Sequence, residues 1–119
     1  MTQAQVIRLY KKYFKYWRHW FGLSDWKINT TYHTYLHAGR SGNNVAATSN
    51  ASWEYMDADI QVNLAVCSDF TEDEIEKVVI HELLHLVVNE MREDDIKHEE
   101  KVVSMLSNII WWVKSQAKD

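Results

Sequence analysis

Residues 81–85 read His-Glu-Leu-Leu-His, inside a strongly helical and apolar segment. A spacing of four on a helix brings two side chains to one face, one turn apart. Two imidazoles placed this way are close enough to share a metal ion. Imidazole nitrogen suits Zn²⁺, which at a catalytic site takes three protein ligands and a water. Glu82 follows the first histidine directly, so its carboxylate lies beside such an ion without ligating it. There it is suited to take a proton from water and pass it to a leaving amine, the work of a general base and acid. The five-residue string alone is weak, because it also arises by chance. Its surroundings strengthen it. From Val78 to Val88 every other residue is apolar, and burying two histidines and a glutamate without a purpose is costly.

Two histidines leave a third ligand to be found. His98, Glu99 and Glu100 follow the polar break Arg92-Glu93-Asp94-Asp95. They start the last predicted helix, which a short turn brings back antiparallel to the helix carrying His81. The longer pattern H-E-x-x-H-x-x-G-x-x-H is absent, since Val88 and Met91 stand at its glycine and third-histidine positions, so a metzincin is not expected. Glu99 falls near the middle of the apolar stripe of its helix. A ligand facing an open cleft belongs at the edge of that stripe, which favours Glu100. His19, His33 and His37 have no ligand spacing with the motif and read as surface or structural residues.

The elements that must position these groups follow from periodicity. Val6, Leu9, Tyr10, Tyr13, Phe14 and Trp17 recur at helical spacing across residues 3–20, and Gly22 is a stop signal. Residues 25–32, 45–53 and 58–66 read as strands of a small antiparallel meander, with Ile60, Val62 and Leu64 alternating with polar neighbours. Gly39–Asn44 is the clear loop. Thr71-Glu72-Asp73-Glu74 is a capping box whose acids suit the helix dipole, starting a helix that runs to about Met91. A last helix covers roughly Asp95–Lys114, with Val102, Val103, Leu106, Ile109, Ile110 and Val113 as its core stripe. The expected fold is α+β: an N-terminal helix, a small antiparallel sheet of about three strands with a mixed edge, a buried helix bearing the motif and a C-terminal helix.

The chain has 119 residues, one domain's worth, and 46% hydrophobic and 25% charged residues are ordinary for a globular protein. A net charge of −4 argues against coating nucleic acid, although Arg8, Lys11, Lys12, Lys15 and Arg18 form a local basic cluster. A single cysteine, Cys67, excludes an intrachain disulfide and reads as a small buried residue. No signal peptide and no run of about 18 apolar residues is visible, so a soluble cytoplasmic protein is expected, as a monomer or small homo-oligomer. Trp17, Trp20 and Trp26 are expected to pack where the first helix meets the first strand. Trp111 and Trp112 cannot face the same way, so one of them marks a candidate partner surface.

His81-Glu82-Leu83-Leu84-His85 followed by a glutamate on the next helix resembles the gluzincins. Across most of its length the chain is similar to the minimal gluzincins, the minigluzincins, and to small phage-type metallopeptidases. The likeness is carried by Gly22–Ile28, Ala58–Val62, Val78–Leu86 and Glu99–Leu106. It implies a zincin-like fold and a glutamate as third ligand. That glutamate is commonly followed by a small or aliphatic residue three on, a polar one four on and an apolar one six on. Glu100 fits, with Val103, Ser104 and Leu106; Ser104 is shorter than the usual acid at its position. The resemblance also implies an edge strand above the metal that holds substrate extended, and residues 58–64 take that place by position.

The leading expectation is a zinc metallopeptidase, an endopeptidase acting on extended peptide or protein segments, with Glu82 as base and acid. Tyr55 and His98 are candidate oxyanion donors on residue type alone. A binding or regulatory module that keeps the fold but cleaves little is the rival, which the intact Glu82 disfavours. A third reading, a zinc hydrolase with His98 as third ligand and related to DNA-linked proteases, sits poorly with the acidic balance.

Overall fold

Thr2 opens the first helix by a reciprocal capping box with Gln5, its hydroxyl accepting from the Gln5 amide and the Gln5 side chain accepting from its own. In the computed structural model, residues 1–34, 45–88 and 96–117 are described. For Trp53, residues 96–99 and Ala117 this holds for the backbone alone. The elements are α1 (Gln3–Trp20), β1 (Lys27–His33), β2 (Ala47–Ser52), β3 (Asp57–Asn63), α2 (Leu64–Cys67), α3 (Glu72–Val87) and α4 (Ile96–Ala117), with a 3₁₀ turn at Trp53–Tyr55. The architecture is α+β, as the sequence implies. The loop at Gly39–Asn44, the break at Arg92–Asp95 and His37 lie outside the described residues.

The sheet is mixed, with a parallel edge as expected, but the meander read from its strands is antiparallel only between β2 and β3. Its order is β1-β3-β2, with β1 parallel and β2 antiparallel to β3. Alternation reports only which face of a strand is buried, so it is silent on the direction of the neighbour. Residues 57–63 are therefore the central strand, and the expectation that 58–64 form an edge is corrected: among the described residues, the edges are β1 and β2. On the buried face Ile28, Ala58 and Ala51 stand in register, as do Tyr32, Val62 and Ala47. Asp57, Asp59 and Gln61 face the other way and are exposed.

The expected third strand stops at Asn63. Its fully buried side chain accepts from the amides of Ala65 and Val66, which turns Leu64–Cys67 into a helical turn. The capping box at Thr71 and Glu74 forms as read, and α3 closes at Val87 with Val88 as its cap, short of the expected Met91. Helix α3 is buried on most sides. Ile75, Val79, Ile80, Leu83 and Leu86 join Val6 and Tyr10 of α1, Ile60 and Val62 of β3, and Val103 of α4 in one core.

Two expectations about the aromatic and apolar residues need correction. Trp17 is buried, but Trp20 is 65% exposed, because one turn later α1 has passed the edge of the core. The core stripe of α4 is rotated: Val103 is buried and Leu106, Ile110 and Trp111 pack against the core, while Ile109 and Val113 are each 55% exposed. No helix among the described residues is long and apolar enough to cross a membrane.

Candidate metal centre

Helix α3 delivers the first two candidate ligands by its own geometry. The rings of His81 and His85 lie one turn apart, with centroids 4.9 Å from each other at 74°. Their Nε2 atoms are 3.2 Å apart. Both rings are held by the burial of the flanking helix: Ile80, Leu83, Leu84 and Leu86 are all in the core. The third group comes from the start of α4, nineteen residues beyond His81. Glu100 Oε1 is 2.9 Å from Nε2 of His81, and its Oε2 is 3.0 Å from Nε2 of His85. Among the described residues these three form a group that could hold a metal ion, with ligand atoms all within 4.8 Å of one another.

The spacing tests whether an ion fits. A tetrahedral ion with bonds of about 2.0–2.1 Å holds its ligand atoms roughly 3.3 Å apart. The separations here, 2.9, 3.0 and 3.2 Å, fall within a few tenths of that. The donor chemistry of two imidazoles and one carboxylate is also compatible. Burial is the first cause holding His81 below its ordinary pKa, with the nearby Glu100 carboxylate opposing it and His85 adding to it. A neutral imidazole is the form that ligates a metal.

Glu82 shares this site. It is 5% exposed and lines a cleft of about 390 Å³ together with His81, Glu100, Phe70, Lys77, Val78 and the segment Val45–Ala47. Its carboxylate also lies near the core phenol of Tyr10, whose pKa is raised first by burial and then by the charge of Glu82. Motif reasoning missed the Val45–Ala47 wall, because its residues carry no chemistry in their side chains. Its signal was topological: β2 is an edge strand that runs past α3.

The other sequence candidates fall elsewhere. The side chains of His98 and Glu99 lie outside the described residues. Tyr55 is 79% exposed in the turn between β2 and β3 and is not part of the cleft wall. Ser104, one turn beyond Glu100, is half-buried. His19 is exposed, and His33 is half-buried at the end of β1.

No family model matches the chain, and no curated protein or solved structure matches it either.

One cluster away from the cleft went unread in the sequence. Glu76 of α3 is 1% exposed, accepts from the indole Nε1 of Trp17 at 2.9 Å, and pairs with Lys114 of α4. Tyr13 donates to Glu72 at 2.6 Å alongside. These contacts clamp α4 to α3 and α1 at the end far from Glu100.

Proposed function

We propose that this chain is a zinc-dependent metallopeptidase of the minigluzincin kind, an endopeptidase for extended segments of peptide or protein. The observation that carries the reading is the Glu100 carboxylate spanning the two histidine Nε2 atoms, with the Glu82 carboxylate in the same cleft. His81, His85 and Glu100 are the proposed zinc ligands. Bound there, zinc supplies a Lewis acid for the scissile carbonyl and lowers the pKa of a water toward neutrality.

The chain's own residues do the remaining work. Glu82 takes the proton from the attacking water on a carboxylate oxygen and returns it to the leaving amine nitrogen. Its burial keeps that proton from exchanging freely with bulk solvent. The outer edge of β2 is the proposed site for substrate, added as a further extended strand by backbone hydrogen bonds. Support comes from the position of β2 at the sheet edge and from Ala46 and Ala47 in the cleft wall. Small side chains there let another backbone approach closely.

The test compares the native chain with Glu82→Gln on an unstructured protein, with zinc content measured on both. The expected result is cleavage by the native chain and loss of at least about a hundredfold in rate for the variant, within the range for general acid–base catalysis, with zinc retained. Zinc binding by both proteins and cleavage by neither supports a binding module instead.

A further inference from the structure

The rotation of α4 leaves an apolar face outside the core. Met105, Ile109, Trp112 and Val113 are each 55–60% exposed. Together with Val102 and Gln116, the series 102-105-109-112-116 keeps the alternating three- and four-residue steps of a helix seam that packs on another helix. Ile109 and Val113 also line a groove of about 420 Å³ between α1 and α4, whose other wall includes Tyr16, Trp17 and Trp20. Face and groove form one continuous surface.

Its size calls for a partner. Trp20 and Trp112, 65% and 60% exposed, put on the order of 300 Å² outside between them, given the area of an indole side chain. With Tyr16, Met105, Ile109 and Val113 the patch reaches roughly 600–700 Å², at or above the largest patch of a typical monomer. A standard interface needs about 800 Å² per partner, so this patch with its rim is sufficient.

Charge selects the occupant. Residues 102–113 contain no charged side chain. A strongly charged partner gains nothing from that stretch, while a second copy meets no like charge there. An anionic membrane surface would need cations around the patch. Among the described residues that line the groove the one cation is Lys114, and it is paired with the buried Glu76. Of the α1 cations, Arg18 donates to the carbonyls of Leu23, Ser24 and Trp26, and Lys11 lies over the Tyr32 ring on the sheet side. An antiparallel pairing of α4 with its own copy also opposes the two helix dipoles favourably. It seats the protruding Trp112 of each copy toward the other's groove, as a two-fold interface requires.

We propose that this face is a homodimer interface, with α4 packed antiparallel on α4 of a second copy and Ile109 near the two-fold axis. Sedimentation of the full chain over a concentration series should show the mass rising toward twice that of one chain. Trp112→Lys and Ile109→Lys should each weaken the dimer by about tenfold or more, as loss of a central anchor does, with far-ultraviolet circular dichroism unchanged. Ile109→Cys provides a check that does not depend on disruption. Cys67 is fully buried, so the new thiol is the accessible one, and oxidation should link two chains while Lys11→Cys, on the sheet side of α1, stays unlinked. A native chain that remains monomeric at every soluble concentration overturns the proposal, whether or not it floats with anionic vesicles or binds another protein. So does a dimer that both lysine variants leave intact and that position 109 fails to cross-link.

Discussion

Lys114 of α4 pairs with Glu76 of α3, a carboxylate that is 1% exposed and thirty-eight residues away in sequence. The ammonium also lies over the rings of Tyr13, Tyr16 and Trp17, at 4.9–5.3 Å from their centroids. A carboxylate this deep is tolerable only when paired and hydrogen-bonded. The pair therefore fixes how α4 lies along α3, and with it where Glu100 emerges at the other end.

Removing one partner leaves the other charge buried. Lys114→Met should cost about 3 kcal/mol, the lower part of the range for a broken buried pair, because Lys114 is itself 20% exposed. Replacing both, as Glu76→Leu with Lys114→Met, should cost less than Lys114→Met alone, since no lone charge remains. Urea unfolding of the three proteins measures this. A single variant within about 0.5 kcal/mol of the native chain, inside the range of ordinary surface substitutions, would show that the pair contributes little.

The parts of the fold that the sequence displays are those with local causes. Helix α1 is bounded by a cap and a glycine, and the capping box at Thr71 starts α3 where its residues say. What was hidden depends on partners far along the chain. The parallel pairing of β1 with β3 is invisible to alternation. Glu76 looks like any acid in the first turns of a helix until Lys114 arrives beside it. Glu99 and Glu100 differ by a rotation of about 100° on α4, and the packing of α4 decides which carboxylate reaches the histidines. That same rotation put Ile109 and Val113 outside the core when periodicity placed them within it.

The proposed ligand set predicts an ordered mutational series. His81→Ala, His85→Ala and Glu100→Ala should each reduce zinc affinity by far more than the roughly 10–100-fold typical of an outer supporting residue. Glu99→Ala and His98→Ala should retain it. Competition against a chromophoric chelator reads all five. Full affinity in Glu100→Ala together with loss in Glu99→Ala or His98→Ala would reassign the third ligand.

Acid should release the metal, because protons compete for the histidines. Burial holds His81 below its ordinary value of 6.5, so its neutral form persists further into acid than a free imidazole. The sign for stability follows. The folded chain without metal binds fewer protons at His81 than the unfolded chain, so the contribution of this group is present above about 6.5 and declines as the pH falls toward the folded value. Chelator competition and urea midpoints between pH 5 and 8 test the two effects separately. Zinc affinity that stays flat across that range would contradict ligation by imidazole.

Cys67 should be chemically silent in the folded chain. It is fully buried in the core, its thiol lies 3.6 Å from the Ala46 carbonyl, and burial pushes its pKa up to about 11. Both the thiolate and the access that reaction requires are missing. A disulfide reagent at pH 8 should label less than one thiol per chain until denaturant is added, then one. Prompt labelling of the native protein would mean that the α2 turn opens readily.

Two backbone positions should respond in opposite directions to exchange with glycine. Gly22 sits at φ 69°, where nothing lies within 4 Å of an added Cβ. Gly22→Ala thus meets no steric neighbour and should cost only the left-handed backbone penalty, about 1 kcal/mol. Met56 occupies the same region at φ 52° without being glycine, in the turn that leads into β3. The conformation is held there because its carbonyl accepts from the Lys27 amide at 2.9 Å, tying the turn to the start of β1. Its side chain is 41% exposed, so little packing is lost on removal. Met56→Gly should relieve the strain and gain up to about 1 kcal/mol, part of it offset by the greater freedom of glycine in the unfolded chain. Opposite shifts of the two urea midpoints are expected. A loss at Met56→Gly comparable to that at Gly22→Ala would mean that the methionine side chain contributes more at the β2–β3 turn than its exposure implies.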